Sequence, residues 1–298
     1  LAISFDWQQE YQTVSPHART ISQMSFLDLL QKNKIERKFG PSFWDYKDQT
    51  AIAQAEIVDA EKDGVMFDIN FQTTTGKTIT IATTRPELLP ACVAVFFHPD
   101  DVRYQKLHNQ EAKVPLFNQY VKIIADADVD MDKGTGLVMC CTFGDIQDVT
   151  WWQRHQLQTK ECINRYGKMQ NADFLDGLKV ADAKKEIITK LGSLVANQEP
   201  IKQTVKTAER SGAILEIIPT HQWYVKVLKS KQELNQLNDE CNWFPDFMKE
   251  RMKHWIDGLN QDWCISRQRY FGVPFPVWYS KRKGEEGKII LAQVEHLP

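Results

Sequence analysis

The 298-residue chain has no excess of charge of one sign: 37 Lys and Arg stand against 39 Asp and Glu, a formal net charge of −2. Attachment to a polyanion by bulk charge alone is therefore not indicated. Long apolar runs are missing too. The longest, Leu88 to Phe97, is too short to span a bilayer and contains Pro90. No signal-peptide or lipidation pattern is visible. None of the six cysteines (Cys92, Cys140, Cys141, Cys162, Cys241 and Cys264) forms a C-x-x-C pair, and no Cys/His knuckle has zinc spacing. That leaves no support for a structural metal or a disulfide scaffold and suits reduced thiols in the cytoplasm. Repeats, low-complexity tracts, G-x-G-x-x-G and Walker spacing are also absent.

What is present reads as a folded protein. Apolar residues make up 42% and charged residues 26%, which argues against disorder. The length suits one large or two medium domains. The charge is unevenly spread. Residues 1–149 carry 14 basic and 21 acidic groups, a balance of −7, and residues 150–298 carry 23 and 18, a balance of +5. The chain opens at Leu1 without Met inside an apolar-aromatic run and stops at Pro298 after a strand-like segment, so it is expected to be a piece of something longer.

Helical and strand periods alternate in blocks. Ser22 is expected to cap a helix through Met24, Phe26, Leu27, Leu29, Leu30 and Ile35 that Gly40-Pro41 ends. Strands are expected over Ala51–Val58, Val65–Gln72, Lys77–Thr83, Cys92–Phe97, Val121–Ile124 and Gly136–Cys141, with turns at Asp63-Gly64 and Thr75-Gly76. Helical pattern returns after Asp145 and again over Val180–Leu194. Ile214–Ile218 and Trp223–Leu228 read as strands around Pro219, Lys231–Asn238 and Pro245–Leu259 as helices, and Val273–Tyr279 as a strand before a charged turn at Lys281–Gly287. The fold class is therefore α+β: helical flanks around a strand-rich middle, with a closed or half-closed β-barrel carrying peripheral helices.

Four segments carry chemistry. Thr83-Thr84-Arg85-Pro86-Glu87 follows a strand, and proline fixes the bend, so two hydroxyls and a guanidinium gather at the strand's open end. Hydroxyls grip sugar or ester oxygens, and Arg holds a carboxylate or phosphate bidentately; the plainer alternative is a strand-end turn with a salt bridge. In the run Lys133–Asp148, Gly134 and Gly136 allow close backbone approach, and Asp145 and Asp148 share a face if a helix starts there. An ionised Asp at a helix N-terminus suits an ammonium group; the plainer alternative is a capping Asp145 and a solvated Asp148. Asp126, Asp128, Asp130 and Asp132 resemble the start of a calcium loop, but Lys133 and Met139 stand where Gly and Glu belong, so they read as an acidic strand face. Last, Asp262–Tyr279 sets Arg267, Gln268 and Arg269 among aromatics, which suits RNA backbone contacts or a basic loop entering a buried strand.

Taken in order, ATTRPE (Ala82–Glu87), AVFFHPDDVRY (Ala94–Tyr104), GTGLV around Thr135 with Asp145 and Asp148, ERSGA (Glu209–Ala213), THQWYVKV (Thr220–Val227) and WCISRQR resemble the class I aminoacyl-tRNA synthetases of the Val/Ile/Leu group. DWQQEYQT (Asp6–Thr13) and SQMSFLDLL (Ser22–Leu30) are most similar to its valine-specific members. The resemblance implies a catalytic-domain flank at 1–49, a β-barrel-like editing domain at 50–220 and a return segment of a Rossmann-type catalytic domain at 221–298. It implies hydrolysis of mischarged Thr-tRNA(Val), because a hydrophobic pocket cannot strongly reject an isostere that adds a hydroxyl. The resemblance gives Asp148 the substrate's ammonium and Asp145 a supporting role. It places Thr83, Thr84 and Arg85 around the ester and the 3′-terminal adenosine of tRNA(Val), with Lys133, Thr135, Met139, Cys141 and Thr142 lining the pocket and Arg267 and Arg269 on the tRNA. Threonine is the amino acid removed.

Two departures stand out. A Lys and then Thr-Pro-Ala-His are usual after GTG in bacterial members; here those places hold Met139 and Cys141 to Gly144, with Thr142 offering a shifted hydroxyl. The HIGH-type and KMSKS-type motifs are absent, so ATP and Mg belong to the whole enzyme and no cofactor is expected here. No Ser, Cys or His is an obvious nucleophile; Cys141 and His155 lack a base partner, which leaves attack by a positioned water. The protein is expected to be a cytoplasmic monomer without a membrane partner. A tRNA-binding or structural piece without turnover, and an editing unit of an isoleucyl or leucyl relative, are the open alternatives.

Overall fold

The computed structural model describes residues 4–298; Leu1, Ala2 and Ile3, where the opening run begins, lie outside the described residues. Two compact units form, one from Phe39–His221 and the other from residues up to Lys38 together with Gln222–Pro298. Among the described residues no helix is long and apolar enough to cross a membrane.

Helix α1 (Pro16–Gln31) starts earlier than the Ser22 reading. Ser15 caps it, its hydroxyl accepting from the Ala18 amide at 3.2 Å, and Pro16 takes the first helical position, where no N–H is needed. Strand β1 (Ile35–Asp45) then replaces the expected helix end, with Gly40-Pro41 inside it. Tertiary burial decides this: Phe43 and Trp44 are buried, and Trp44 pairs with Ala51 of β2 (Thr50–Ala51).

The Phe39–His221 unit is built on β3 (Ile57–Thr73), β4 (Thr78–Thr83), β5 (Ala94–Phe97), β6 (Glu111–Lys113), β7 (Tyr120–Ala125), β8 (Leu137–Cys140) and β9 (Val195–Ala208). The hydrogen-bonded path runs β4-β3-β6-β7-β5-β8, with β9 alongside β3. The outermost strands, β4 and β8, pack against each other, so the sheet curls into a half-barrel. Ile69, Phe71, Ile81, Val95, Phe97, Ile123 and Met139 fill its inside. Helix α2 (Ile146–Arg154) covers the other face of β5 and β8, with Trp151 stacked on Phe96 at 4.7 Å between centroids. Helix α3 (Val180–Leu191) adds Ala183, Ile187 and Leu191 to the core. The fold class is the expected mixed α+β with a curled half-barrel.

Three local readings change. Asp63-Gly64 is not a turn: β3 runs straight through, because β9, which no strand reading covered, pairs with it from Ile57↔Ala208 onward. Asp126–Asp132 is not a strand face but a loop of turns, in which the Asp126 and Asp130 carboxylates accept the amides of Asp128 and Asp132 at 3.0 Å each. Strand β10 (Glu216–Val225) continues through Pro219 where two strands were expected.

The other unit packs Phe26, Ile35 and Trp223 against Leu30, Phe275 and Val277. It also holds α4 (Lys231–Glu240), α5 (Met248–Asp257), β11 (Trp263–Cys264) and the hairpin of β12 (Val277–Tyr279) and β13 (Ile289–Leu291), which the Lys281–Gly287 turn joins as expected.

Candidate active site

The site forms in the Phe39–His221 unit, where Arg85, just past β4, meets the turn that follows β8. After β8 the chain makes a tight turn, Cys141 to Gly144, and enters α2. Asp145 caps the helix: its Oδ1 accepts the Asp148 amide at 2.8 Å. Asp148 is therefore in the first turn, but it is only 7% exposed, not solvated. Its side chain bends back toward the turn. Oδ2 accepts the amides of Gly144 at 3.1 Å and Cys141 at 3.3 Å, while Oδ1 takes no hydrogen bond from the described residues. A Cβ at 144 would lie 2.4 Å from Asp148 Oδ2 and 3.2 Å from Leu88 Cδ1, so any other residue there must displace the carboxylate. Burial, followed by the charge of Asp145, pushes the Asp148 carboxyl up from 3.8 to about 7, against the lowering by its backbone donors.

Thr142, in the middle of the turn, has φ +41, a conformation rare for a β-branched residue, and it is completely buried. Its hydroxyl donates to the Ala91 carbonyl at 3.3 Å and accepts the Lys160 amide at 3.2 Å. The hydroxyl thus braces the turn from behind. Cys141 gives its amide to Asp148, and its thiol is buried and pushed well above its ordinary pKa, chiefly by burial. A small recess of about 20 Å³, room for one water, opens between Leu88, Cys141, Lys160, Cys162 and Ile217. Lys160 Nζ is held by the Gln119 amide oxygen.

The Thr83–Glu87 segment lies against this turn. Thr83 Oγ1 accepts the Arg85 amide at 3.0 Å, and among the described residues the Thr84 hydroxyl makes no hydrogen bond. Arg85 is occupied from inside. Its Nη2 donates to both oxygens of Glu216 of β10 at 2.8 and 3.1 Å, its Nε to Glu87 at 3.1 Å and its Nη1 to the Gly144 carbonyl at 3.3 Å. Burial works against the Arg85 charge, but the two carboxylates outweigh it and raise its pKa. Burial raises the pKa of Glu216.

The GTG loop meets the same corner. Gly134 and Gly136 sit at φ +59 and +79, and a Cβ on Gly134 would lie 2.6 Å from that of Ala82. Lys133 is exposed at the loop tip, and the Thr135 carbonyl accepts Tyr104 Oη at 2.7 Å. Met139 faces the half-barrel core opposite Val95. His155 is at the far end of α2, its Nε2 2.6 Å from Asp126 Oδ2.

A sequence model of the family described as tRNA synthetases class I (I, L, M and V) matches residues 1–296. The chain belongs to the class I tRNA synthetases. It is 56% identical over 302 residues to a valine–tRNA ligase of Rickettsia conorii, matching all of this chain and 37% of that protein. Valine–tRNA ligases of Orientia tsutsugamushi and Anaplasma marginale match the whole chain at 50% and 52% identity, over 37% and 38% of their own lengths. The chain thus spans little more than a third of these relatives. A LeuRS–tRNA–LeuAMS complex from Agrobacterium radiobacter K84 matches 96% of this chain and 37% of its own at 17% identity and a TM-score of 0.38, too slight a likeness to argue from.

In this synthetase chain the acidic corner and the Thr83–Arg85 segment come together in one unit. Arg267 and Arg269 belong to the other, where Arg267 donates to the Cys264 and Ser266 carbonyls at 2.9 and 2.8 Å. Sequence reasoning missed Glu216, whose signal was a carboxylate inside the apolar run Ile214–Ile218. It also missed Lys184 of α3, which donates to the Thr84 carbonyl at 2.7 Å and carries no motif signal.

Proposed function

We propose that these residues are the portion of a valine–tRNA ligase that hydrolyses mischarged Thr-tRNA(Val). The observation that supports this most is the divided role of the Asp148 carboxylate. Oδ2 is tied to two backbone amides, and Oδ1 meets no donor among the described residues. An α-ammonium offered to Oδ1 meets a buried carboxyl that it can draw into the ionised form. Asp145 supports the geometry by holding the Asp148 amide. The Thr84 hydroxyl is free to orient the ester or the threonine hydroxyl.

Water is the nucleophile in this reading. It adds to the ester carbonyl carbon, the bond to the ribose oxygen breaks, one of the water's protons goes to the ribose oxygen and the other to solvent, and threonine leaves as its carboxylate. The Cys141 thiol is buried and neutral, and His155 is held at the other end of α2 by Asp126. ATP and its magnesium serve the ligation of valine in the whole protein, and no step at this site passes through them. Among the described residues no group of three or more His, Cys, Asp or Glu converges as a metal set. We take the partner to be the 3′-terminal adenosine of tRNA(Val), and the protein to act as a cytoplasmic monomer.

A non-hydrolysable threonyl-adenosine analogue tests the ammonium role. Its affinity for the native protein is expected to fall at least about tenfold in Asp148→Ala, the loss of a charge-assisted contact. Equal affinity for both would remove Asp148 from the substrate.

A further inference from the structure

Glu216 lies outside every motif read from the sequence, yet it is buried in β10 with both oxygens on Arg85, 131 residues earlier. The other contacts of that guanidinium run toward the site. It reaches the Gly144 carbonyl at 3.3 Å, and the amide of the same residue donates to Asp148 Oδ2 at 3.1 Å. A second set of contacts joins the same two segments. Leu215 and Ile217, on either side of Glu216, pack in one apolar cluster with Phe143, Val149 and Trp152, which flank Gly144 and Asp148. Neighbours in a strand point to opposite faces, so the Glu216 carboxylate and the Leu215 and Ile217 side chains leave opposite sides of this segment.

We propose that Glu216 is a positioning residue for the site: through Arg85 it fixes the Gly144 carbonyl, and with it the turn whose amides orient the Asp148 carboxylate. Three features favour this over a bystander ion pair. Each guanidinium nitrogen has its own partner, Nε on Glu87, Nη1 on the Gly144 carbonyl and Nη2 on both oxygens of Glu216, and three anchored corners set the angle of the group as well as its place. Gly144 has no side chain to hold its peptide, and the space a Cβ would need is filled by Asp148 Oδ2 and Leu88. Glu87 cannot take over the task of Glu216, because it meets only Arg85 Nε, and its other oxygen is buried without a partner.

The inference rests on the proposed editing reaction for its kinetic consequence, but not for its structural one, and the test separates the two. Glu216→Gln and Glu216→Asp are made in the native protein. The ¹⁵N–¹H resonance and hydrogen exchange of Gly144 are followed together with release of threonine from Thr-tRNA(Val). Expected are a shifted Gly144 amide with exchange at least about tenfold faster in Glu216→Gln, and kcat lower by at least about tenfold with KM within about twofold, as for a group lost only from the positioned state. Glu216→Asp, which keeps the charge, recovers part of both. A Gly144 amide unchanged in a folded Glu216→Gln overturns the relay. A moved Gly144 amide in a protein whose native form releases no threonine keeps the relay and overturns the reaction. If Glu216→Gln does not fold, Glu216→Asp decides: a native Gly144 amide together with native kcat and native KM despite the shortened side chain would count against the relay.

Discussion

Asp148→Asn separates the electrostatic reading of the site from a packing one. The carboxyl lies at about 7 when folded, against 3.8 ordinarily, because burial and the charge of Asp145 outweigh the amides of Cys141 and Gly144. The folded protein thus holds this proton more tightly than the unfolded chain does. Folding is unpenalised below about pH 4, and stability is lost as pH rises from there through about 7. The gap between 3.8 and about 7 is roughly three pH units at about 1.4 kcal/mol each, so ionised Asp148 costs the folded state on the order of 4 kcal/mol above pH 8. Asparagine keeps an oxygen where Oδ2 accepts its two amides and sets its NH₂ where Oδ1 makes no hydrogen bond. The variant is therefore expected to match the wild type within about 1 kcal/mol at pH 4.5 and to exceed it by about 2–4 kcal/mol at pH 8. Urea unfolding at pH 4.5, 6, 7 and 8 measures this. A stability difference that stays constant across that range would refute the reasoning, for it would mean that no proton is linked to folding at this position. The same variant should lose threonine release by on the order of a hundredfold, since a neutral amide cannot pair with an ammonium.

Gly144→Ala puts a Cβ 2.4 Å from Asp148 Oδ2, so the carboxylate must swing away. Threonine release should fall roughly 10- to 100-fold with a loss of about 1–3 kcal/mol in urea unfolding, and full activity would show that the carboxylate position is not critical. Asp126 tethers the far end of α2, receiving Arg154 at 2.8 and 2.9 Å and His155 at 2.6 Å. Burial raises its carboxyl, but His155, the Asp128 amide and Arg154 outweigh that and lower it from 3.8 to about 2. Its contribution is present above pH 4 and lost as pH falls through about 2, so Asp126→Asn should be less stable by about 1–3 kcal/mol at pH 7, with the gap closing toward pH 2 in acid-unfolding curves.

Much of this was legible in the sequence where local chemistry and tertiary contacts agree. Asp145 and Asp148 sit three apart with a turn before them, and the capped helix start follows from that spacing alone. The curled sheet follows from β-branched runs punctuated by Thr75-Gly76 and similar turns. Legibility failed where the deciding contact is distant. Strand β9 is solvated along most of its length and contains Pro200, so it shows no apolar alternation; only its long pairing with β3 makes it a strand. Gly40-Pro41 reads as a helix stop until Phe43 and Trp44 find buried positions. Arg85 reads as a hand held out to a ligand until Glu216, far along the chain, fills it. Thr142 reads as a pocket hydroxyl, whereas its left-handed backbone turns that hydroxyl toward Ala91 and the Lys160 amide.

The central claim is that the Asp148 corner removes threonine from tRNA(Val). It is tested most directly by giving the native protein Thr-tRNA(Val) and Val-tRNA(Val) in separate reactions and following release of each amino acid, with Asp148→Ala alongside. Release of threonine, little release of valine, and loss of threonine release in a folded Asp148→Ala are expected. Equal release of both amino acids, or threonine release undiminished in Asp148→Ala, would contradict it.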